Sequence, residues 1–197
     1  MLKEEFLYAY ENEEDIDKQS FLDEEVELHF PKSTIRDCTF KNCKCSNSNL
    51  NHSFFADVKF INCDFSNTDF SDSNFVDVEF IDCKFVGCKF LNTSMRRVEV
   101  KDSNFSYSNF DGSNIKKVEF YSSKLDFLVL SLCKLEKAKF EDCSLIAATL
   151  AGSKLNGIDF RTCVIDGIIV KLEDLKGMIV TEWQALELAK LLEIEIK

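Results

Sequence analysis

Residues 53–90 read SFFADVKFINCDFSNTDFSDSNFVDVEFIDCKFVGCKF. Phenylalanine recurs at every fifth residue: Phe55, Phe60, Phe65, Phe70, Phe75, Phe80, Phe85 and Phe90. Extended in both directions, the grid runs from Ile35 to Leu175; all 29 of its positions are apolar and 14 are Phe. At 45% apolar composition, chance would give such a run roughly once in ten billion trials. Five is neither the helical nor the plain strand period. The residue two before each grid position except the last, Leu175, is small or apolar, as at Cys43, Ser48, Ser53, Val58, Cys63, Thr68 and Ser73, and residues two apart on an extended segment share a face. The residue two after is Asp, Asn or Gly at 18 of the 29 positions, and all six glycines fall there. These types tolerate turn geometry, including positive φ. Each pentad is therefore predicted to be a short extended side with one small and one large inward residue, followed by a corner.

The small positions count the sides. Val58, Val78, Val98 and Val118 recur every 20 residues, as do Cys43, Cys63 and Cys83. Four pentads per coil make the cross-section a square. Stacked coils ~4.8 Å apart place like residues above like, so the interior is predicted to be ladders of Phe and Leu. The expected fold is an all-β solenoid, a quadrilateral parallel β-helix of about seven 20-residue coils, whose open ends need caps.

Three segments follow. Residues 1–34 are an acidic arm and N-terminal cap with 11 acidic and 3 basic side chains; Leu2, Phe6 and Ala9 fit a short helix, and Val26, Leu28 and Phe30 alternate as a strand would. Residues 35–175 are the β-helix. Residues 176–197 hold a short capping helix: Thr181 is a candidate N-cap with Gln184 three residues on, the spacing of a capping box. Ala185, Leu188, Ala189 and Leu192 lie on one helical stripe, which Trp183, Leu186 and Leu191 widen. That arc can plug the last coil, pair two copies into a homodimer, or do both. Ile194 and Ile196 alternate with Glu and suit a final strand.

The whole chain has 197 residues and a net charge of −11. Such acidity argues against nucleic acid as a direct ligand. No apolar run approaches the ~18 residues of a membrane span, and the N-terminus MLKEEFLYAYENEE lacks the apolar region of a secretory signal; a cytoplasmic location is expected. Nine cysteines in that setting read as reduced thiols. Eight take small inward positions and Cys45 a large one, so they pack as small hydrophobes. A metal ladder along Cys43, Cys63 and Cys83 would lack inward His or carboxylate partners, and His29 and His52 are the only histidines. No catalytic set, phosphate loop or cofactor motif is found, and the chain is expected to be non-catalytic.

What remains is surface charge. Residues 57–82 carry seven acids and one base, Lys59. Asp57, Asp72, Asp77 and Asp82 sit at corners, where Asp suits turn geometry. Asp64, Asp69 and Glu79 sit on flat sides, where no turn role is expected. Glu79, Glu99 and Glu119 are 20 apart and should form a vertical row. A self-repelling row suits either a cationic partner or a solvated face balanced by neighbouring Lys. The candidate partner surface is therefore Asp57, Asp64, Asp69, Asp77, Glu79, Asp82, Glu99 and Glu119.

The pentads of residues 35–175, seen most plainly in TFKNC (39–43) and in residues 54–90, resemble the pentapeptide-repeat family, whose fold is a right-handed quadrilateral parallel β-helix. The tail DLKGMIVTEWQALELAKLLEIEI, residues 174–196, is similar to the C-terminal cap of the Qnr-type and mycobacterial fluoroquinolone-resistance members. The resemblance implies a DNA-mimicking protein that binds DNA gyrase and topoisomerase IV, protects them from quinolones or related poisons, and dimerises tail to tail through the helix. Qnr-type members of Gram-negative bacteria interrupt the repeat with loops. Here the register is unbroken from Ile35 to Leu175, so a partner would have to be met by the faces of the rod. The alternative is a structural or scaffolding rod with an unrelated protein partner.

Overall fold

In the computed structural model, which describes residues 1–192, each pentad is a side and a corner. The coil of residues 53–72 sets the frame: its sides are residues 53–56, 58–61, 63–66 and 68–71. The first two sides of each central coil merge into one eight-residue strand, Phe54–Ile61, Asn74–Ile81, Ser94–Lys101 and Asn114–Tyr121. These stack in parallel with a register of 20, so that Val58 pairs Val78, Val78 pairs Val98 and Val98 pairs Val118. The third and fourth sides are held by single bridges, such as Lys44 to Asp64 and Asn49 to Asp69.

The corners are left-handed. From Asp37 to Gly177, every residue two past a grid position has positive φ except Thr162 and Leu172. Thr is β-branched, for which that region is most strained, and at Leu172 the chain turns into a short 3-10 helix, Leu172–Leu175. Asp and Asn dominate the remaining corners because their short polar side chains lower the cost of φ > 0.

The inward large residues form stacked columns. Phe55 lies 4.7 Å from Phe75 with planes 2° apart, and Phe90 lies 4.5 Å from Phe110 at 7°. The small residues also carry the hydrogen bonding between coils. Ser53 N–H donates to Ser73 Oγ (2.9 Å) and Cys83 N–H to Ser103 Oγ (3.0 Å), while Cys88 Sγ donates to the Phe65 carbonyl (3.1 Å). All nine thiols are buried; burial pushes Cys88 up to about 12 and Cys133 up to about 11.

The solenoid begins earlier than the sequence grid. Ile16 pairs Ile35 and Phe21 pairs Phe40, a register of 19, whereas His29 pairs Asn49 at 20. One missing residue between these points takes Ile16 and Phe21 off the five-residue grid, although both are buried. Residues 16–30 are therefore a further coil, and the arm expected at 1–34 reduces to helix α1 (Leu2–Asn12) and a connection. Val26, Leu28 and Phe30 are not a strand; Glu25 and His29 make single bridges instead. Helix α1 buries Leu2, Phe6 and Ala9 on this first coil, with the Phe6 ring 5.8 Å from Phe30 and 6.4 Å from Phe21.

The other end closes with α2 (Glu182–Ala189). Thr181 Oγ1 accepts from Gln184 N–H, and Gln184 Oε1 accepts from Thr181 N–H, the reciprocal cap expected from the spacing. Gln184 Nε2 then donates to the carbonyls of Phe160 and Cys163, both at 2.8 Å. The Phe160 carbonyl also accepts from Cys163 N–H (2.9 Å), whereas the Cys163 carbonyl takes Gln184 in place of the next coil's amide that Lys84 supplies to Cys63. The expected strand at Ile194 and Ile196 lies outside the described residues.

Candidate protein-binding surface

The Glu row exists as expected: Glu79 pairs Glu99, and Glu99 pairs Glu119, on the second side. Its charge is largely balanced in place. Lys59 Nζ lies 2.8 Å from Glu79, Lys101 Nζ lies 2.8 Å from Glu99, and the Tyr121 hydroxyl donates to Glu119. The neighbouring hydrogen bond of Lys101 to Glu99 raises the lysine above its ordinary value. Lys139, next in the ladder after Glu119, lies with its amino group 4.7 Å from the Tyr121 ring centre. The three stacked glutamates of side two are thus bracketed by Lys59 and Lys139 in their own column and answered by Lys59, Lys101 and Tyr121.

Asp64 and Asp69 prove to have a local structural role, contrary to the reading of flat-side positions. Asp64 Oδ1 accepts from Ser66 N–H (2.9 Å), Ser66 Oγ (2.6 Å) and Ser46 Oγ (3.1 Å). Asp69 Oδ1 accepts from Ser71 N–H (2.9 Å), and Asn104 and Asn109 repeat this bond to Ser106 and Asp111. The third and fourth sides are short, and these side chains satisfy the amide two residues on, which the next coil's bridge leaves unpaired. Burial pushes the Asp64 carboxyl up, but the hydrogen bonds from Ser66 and Ser46 outweigh it and hold the group below the usual carboxylate range.

Asp57, Asp77 and Asp82 lie at corners with φ of 55°, 56° and 54°. The guanidinium of Arg97 hydrogen-bonds both oxygens of Asp77 and holds its carboxyl below the ordinary range. Asp57 and Asp82 are exposed and, among the described residues, make no ion pair within the chain, like Asp37 on the same corner column as Asp57. The same is true of Glu11, Glu13 and Glu14 at the end of α1. Asp37 and these three glutamates were not singled out in the sequence. Their signal was the charge of the N-terminal segment, but its continuation into the solenoid was hidden by the off-grid coil.

At the C-terminal end, Trp183 is 79% exposed, and Leu186, Leu191 and Leu192 are exposed too. Leu188 packs against the core and Ala189 is half-buried, so these two are turned toward the last coil. Ile179 and Ile169 add exposed apolar surface nearby in the chain. Among the described residues no group of His, Cys, Asp and Glu could hold a metal ion, and no helix is long and apolar enough to cross a membrane.

Comparison with known proteins adds the following. A search of curated protein sequences found no match. HetL, a pentapeptide repeat protein involved in heterocyst differentiation regulation from the cyanobacterium Nostoc sp. strain PCC 7120, superposes with a TM-score of 0.57 at 15% identity, covering 89% of this chain and 95% of HetL. QnrB1, a plasmid-mediated fluoroquinolone resistance protein, gives a TM-score of 0.35 at 16% identity over 91% of this chain and 100% of QnrB1 in its full-length structure. A pentapeptide repeat protein of the Arabidopsis thaliana thylakoid lumen gives 0.22 at 17% identity over 64% of this chain and 74% of that one. The sequence profile of the pentapeptide repeat region matches residues 26–80, 53–128 and 104–169. These spans cover the four-sided coils and their left-handed corners, and the chain belongs to the pentapeptide-repeat family.

Proposed function

We propose that the protein is a non-catalytic rod that binds another protein in the place of DNA, entering the basic groove of DNA gyrase or topoisomerase IV in the cytoplasm and protecting the enzyme from quinolones or related poisons. The observation that carries this reading is where the charge lies. Residues 1–82, from α1 through the first coils, hold 19 acidic and 7 basic side chains; residues 83–197 hold 16 and 17. One end of the rod is thus strongly anionic and the rest is neutral. The similarity of residues 174–196 to the cap of the fluoroquinolone-resistance members supports the choice of enzyme. Because Glu79 and Glu99 are already paired to lysines, the contact falls on carboxylates without an internal cation: Asp37, Asp57 and Asp82 at corners, and Glu11, Glu13 and Glu14 at and just past the end of α1. Exposed Trp183, Leu186, Leu191 and Leu192 support pairing of two rods through α2.

The test is supercoiling and quinolone-induced cleavage by purified gyrase and topoisomerase IV with added protein. Protection is expected, weakening steeply with salt because the contacts are exposed charges. Reversal of Asp37, Asp57 and Asp82 to Lys should weaken it more than reversal of Glu79, Glu99 and Glu119. Wild-type protein that leaves both reactions untouched across micromolar concentrations removes the topoisomerase reading. A scaffolding rod for a different protein is the second reading, favoured by the charge balance of side two, and it predicts that null result.

A further inference from the structure

The fourth side of the rod departs from the others in its C-terminal half. Across residues 127–132 and 147–152 neither this side nor its flanking corners carry a charged residue; on the same outward column the nearest charges are Asp111 one coil before and Lys171 one coil after. Its corners also break the rule obeyed elsewhere. Tyr107, Phe127 and Leu132 take left-handed φ of 62°, 57° and 55° and are 61%, 46% and 64% exposed. Bulky apolar residues are disfavoured both in that conformation and in water. The same corner columns hold Asn47, Asn67, Asp72 and Asn92 in the earlier coils, so neither the turn nor the core requires an apolar residue there. Strain retained at an exposed position points to a contact.

The pattern on the face selects the contact. One corner column reads Tyr107, Phe127, Ala147, Gly167: two rings stacked 4.8 Å apart, then a small residue, then none. A β-carbon added at Gly167 would meet nothing within 4 Å, so that step is open. Consider a two-fold axis in the plane of the face, along the strand direction, midway between the coils of Phe127 and Ala147. It lays the Tyr107–Phe127 stack of one copy over the partner's Gly167 and Ala147, and the reverse. The same axis brings Asp111 opposite the partner's Lys171, and neither residue has an ion-pair partner within its own chain among the described residues. Shape and charge thus specify one axis independently. A parallel arrangement would set Phe127 against Leu132 and bring both acidic ends together.

We infer that this face is a self-association surface on which two copies of the chain pack antiparallel, with Tyr107 and Phe127 filling the step at Ala147 and Gly167 and with Asp111 paired to Lys171 across the two-fold. Such an interface is isologous, so each contact occurs twice. The face spans four coils, ~20 Å, by one four-residue side, ~13 Å, a footprint of about 260 Å² against the ~800 Å² per partner of a standard interface, and the dimer is therefore a weak, concentration-dependent one. It is separate from α2, and the two contacts are distinguishable.

The experiment is sedimentation equilibrium of the full chain from about 1 to about 300 μM, a range matched to a micromolar dissociation constant, in wild type and in a Trp183→Asp background that removes pairing through α2. In that background a dimer is expected to persist. Phe127→Asp should raise its dissociation constant at least about tenfold while leaving the thermal midpoint equal or higher, since Asp is the ordinary corner residue. Asp111→Lys and Lys171→Asp should each weaken the dimer, and the double swap should restore it to within about threefold of the background. A Trp183→Asp chain that stays monomeric throughout overturns the proposal. So does a dimer indifferent to Phe127→Asp, or a double charge swap that fails to recover what each single change lost.

Discussion

Phe105 lies flat on Phe85, with ring centres 4.9 Å apart and planes within 7°. That spacing is the strand spacing of a β-sheet. The backbone ladder between coils sets the separation, and identical residues at identical heights turn it into a column of rings. Phe85 also meets Phe80 edge-on at 4.8 Å and is fully buried. The ring is held above, below and from the side.

The interior should accordingly be intolerant of shortening. Phe85→Ala removes a ring whose neighbours are fixed by ladder hydrogen bonds and cannot collapse into the gap. We expect a loss of about 3–5 kcal/mol in denaturant unfolding. Phe85→Leu should cost distinctly less. Equal, small losses for both would show that the coils close around the cavity.

Corner chemistry should sort by side-chain branching. Asp57 has φ of 55° and its side chain is exposed, so Asp57→Gly should be nearly neutral. Asp57→Val places a β-branched residue in the left-handed region and should cost about 1–3 kcal/mol. Thermal unfolding of the two variants makes the comparison; a Val variant as stable as the Gly variant would contradict the role assigned to φ.

Asp64 links the fold to pH. Its carboxyl is held below the usual range by Ser66 and Ser46 despite burial. A depressed folded-state value means that the stabilisation is present above the unfolded value of about 4 and is lost as pH falls through the folded one. Asp64→Ala should cost about 1–3 kcal/mol at pH 7. The gap between variant and wild type should narrow below about pH 4. A gap that stays constant from pH 7 to acid would mean that the charge of Asp64 plays no part.

The cap at α2 rests on Gln184. Removing its amide in Gln184→Ala leaves the Cys163 carbonyl without its donor and the Phe160 carbonyl with the Cys163 N–H alone. Cys163 lies in the last coil beneath that contact and is buried. We expect its labelling by a thiol reagent to rise well above wild type, with Cys63 and Cys83 in the middle of the rod remaining protected. Unchanged labelling of Cys163 would place the closure of the last coil elsewhere.

The sequence by itself determined the period, the square and the corners, because a solenoid's contacts are local in register. Val58 meets Val78 and Phe60 meets Phe80 for one reason, a constant 20-residue offset. Any composition that repeats on that offset announces its own neighbours. The capping box of Thr181 and Gln184 was legible for the same reason, being a contact between residues three apart. The tertiary structure alone decided three things. It recovered the coil of residues 16–30, whose single missing residue moves Ile16 and Phe21 off the grid while leaving them in the core. It assigned Asp64 and Asp69 to the backbone of the short sides, which depends on where the amides of Ser66 and Ser71 point. It also showed which carboxylates are already answered, since Glu79 finds Lys59 one coil away and Asp57 finds no cation. Side-chain reach across coils depends on rotamer and neighbour together, and no linear period records it.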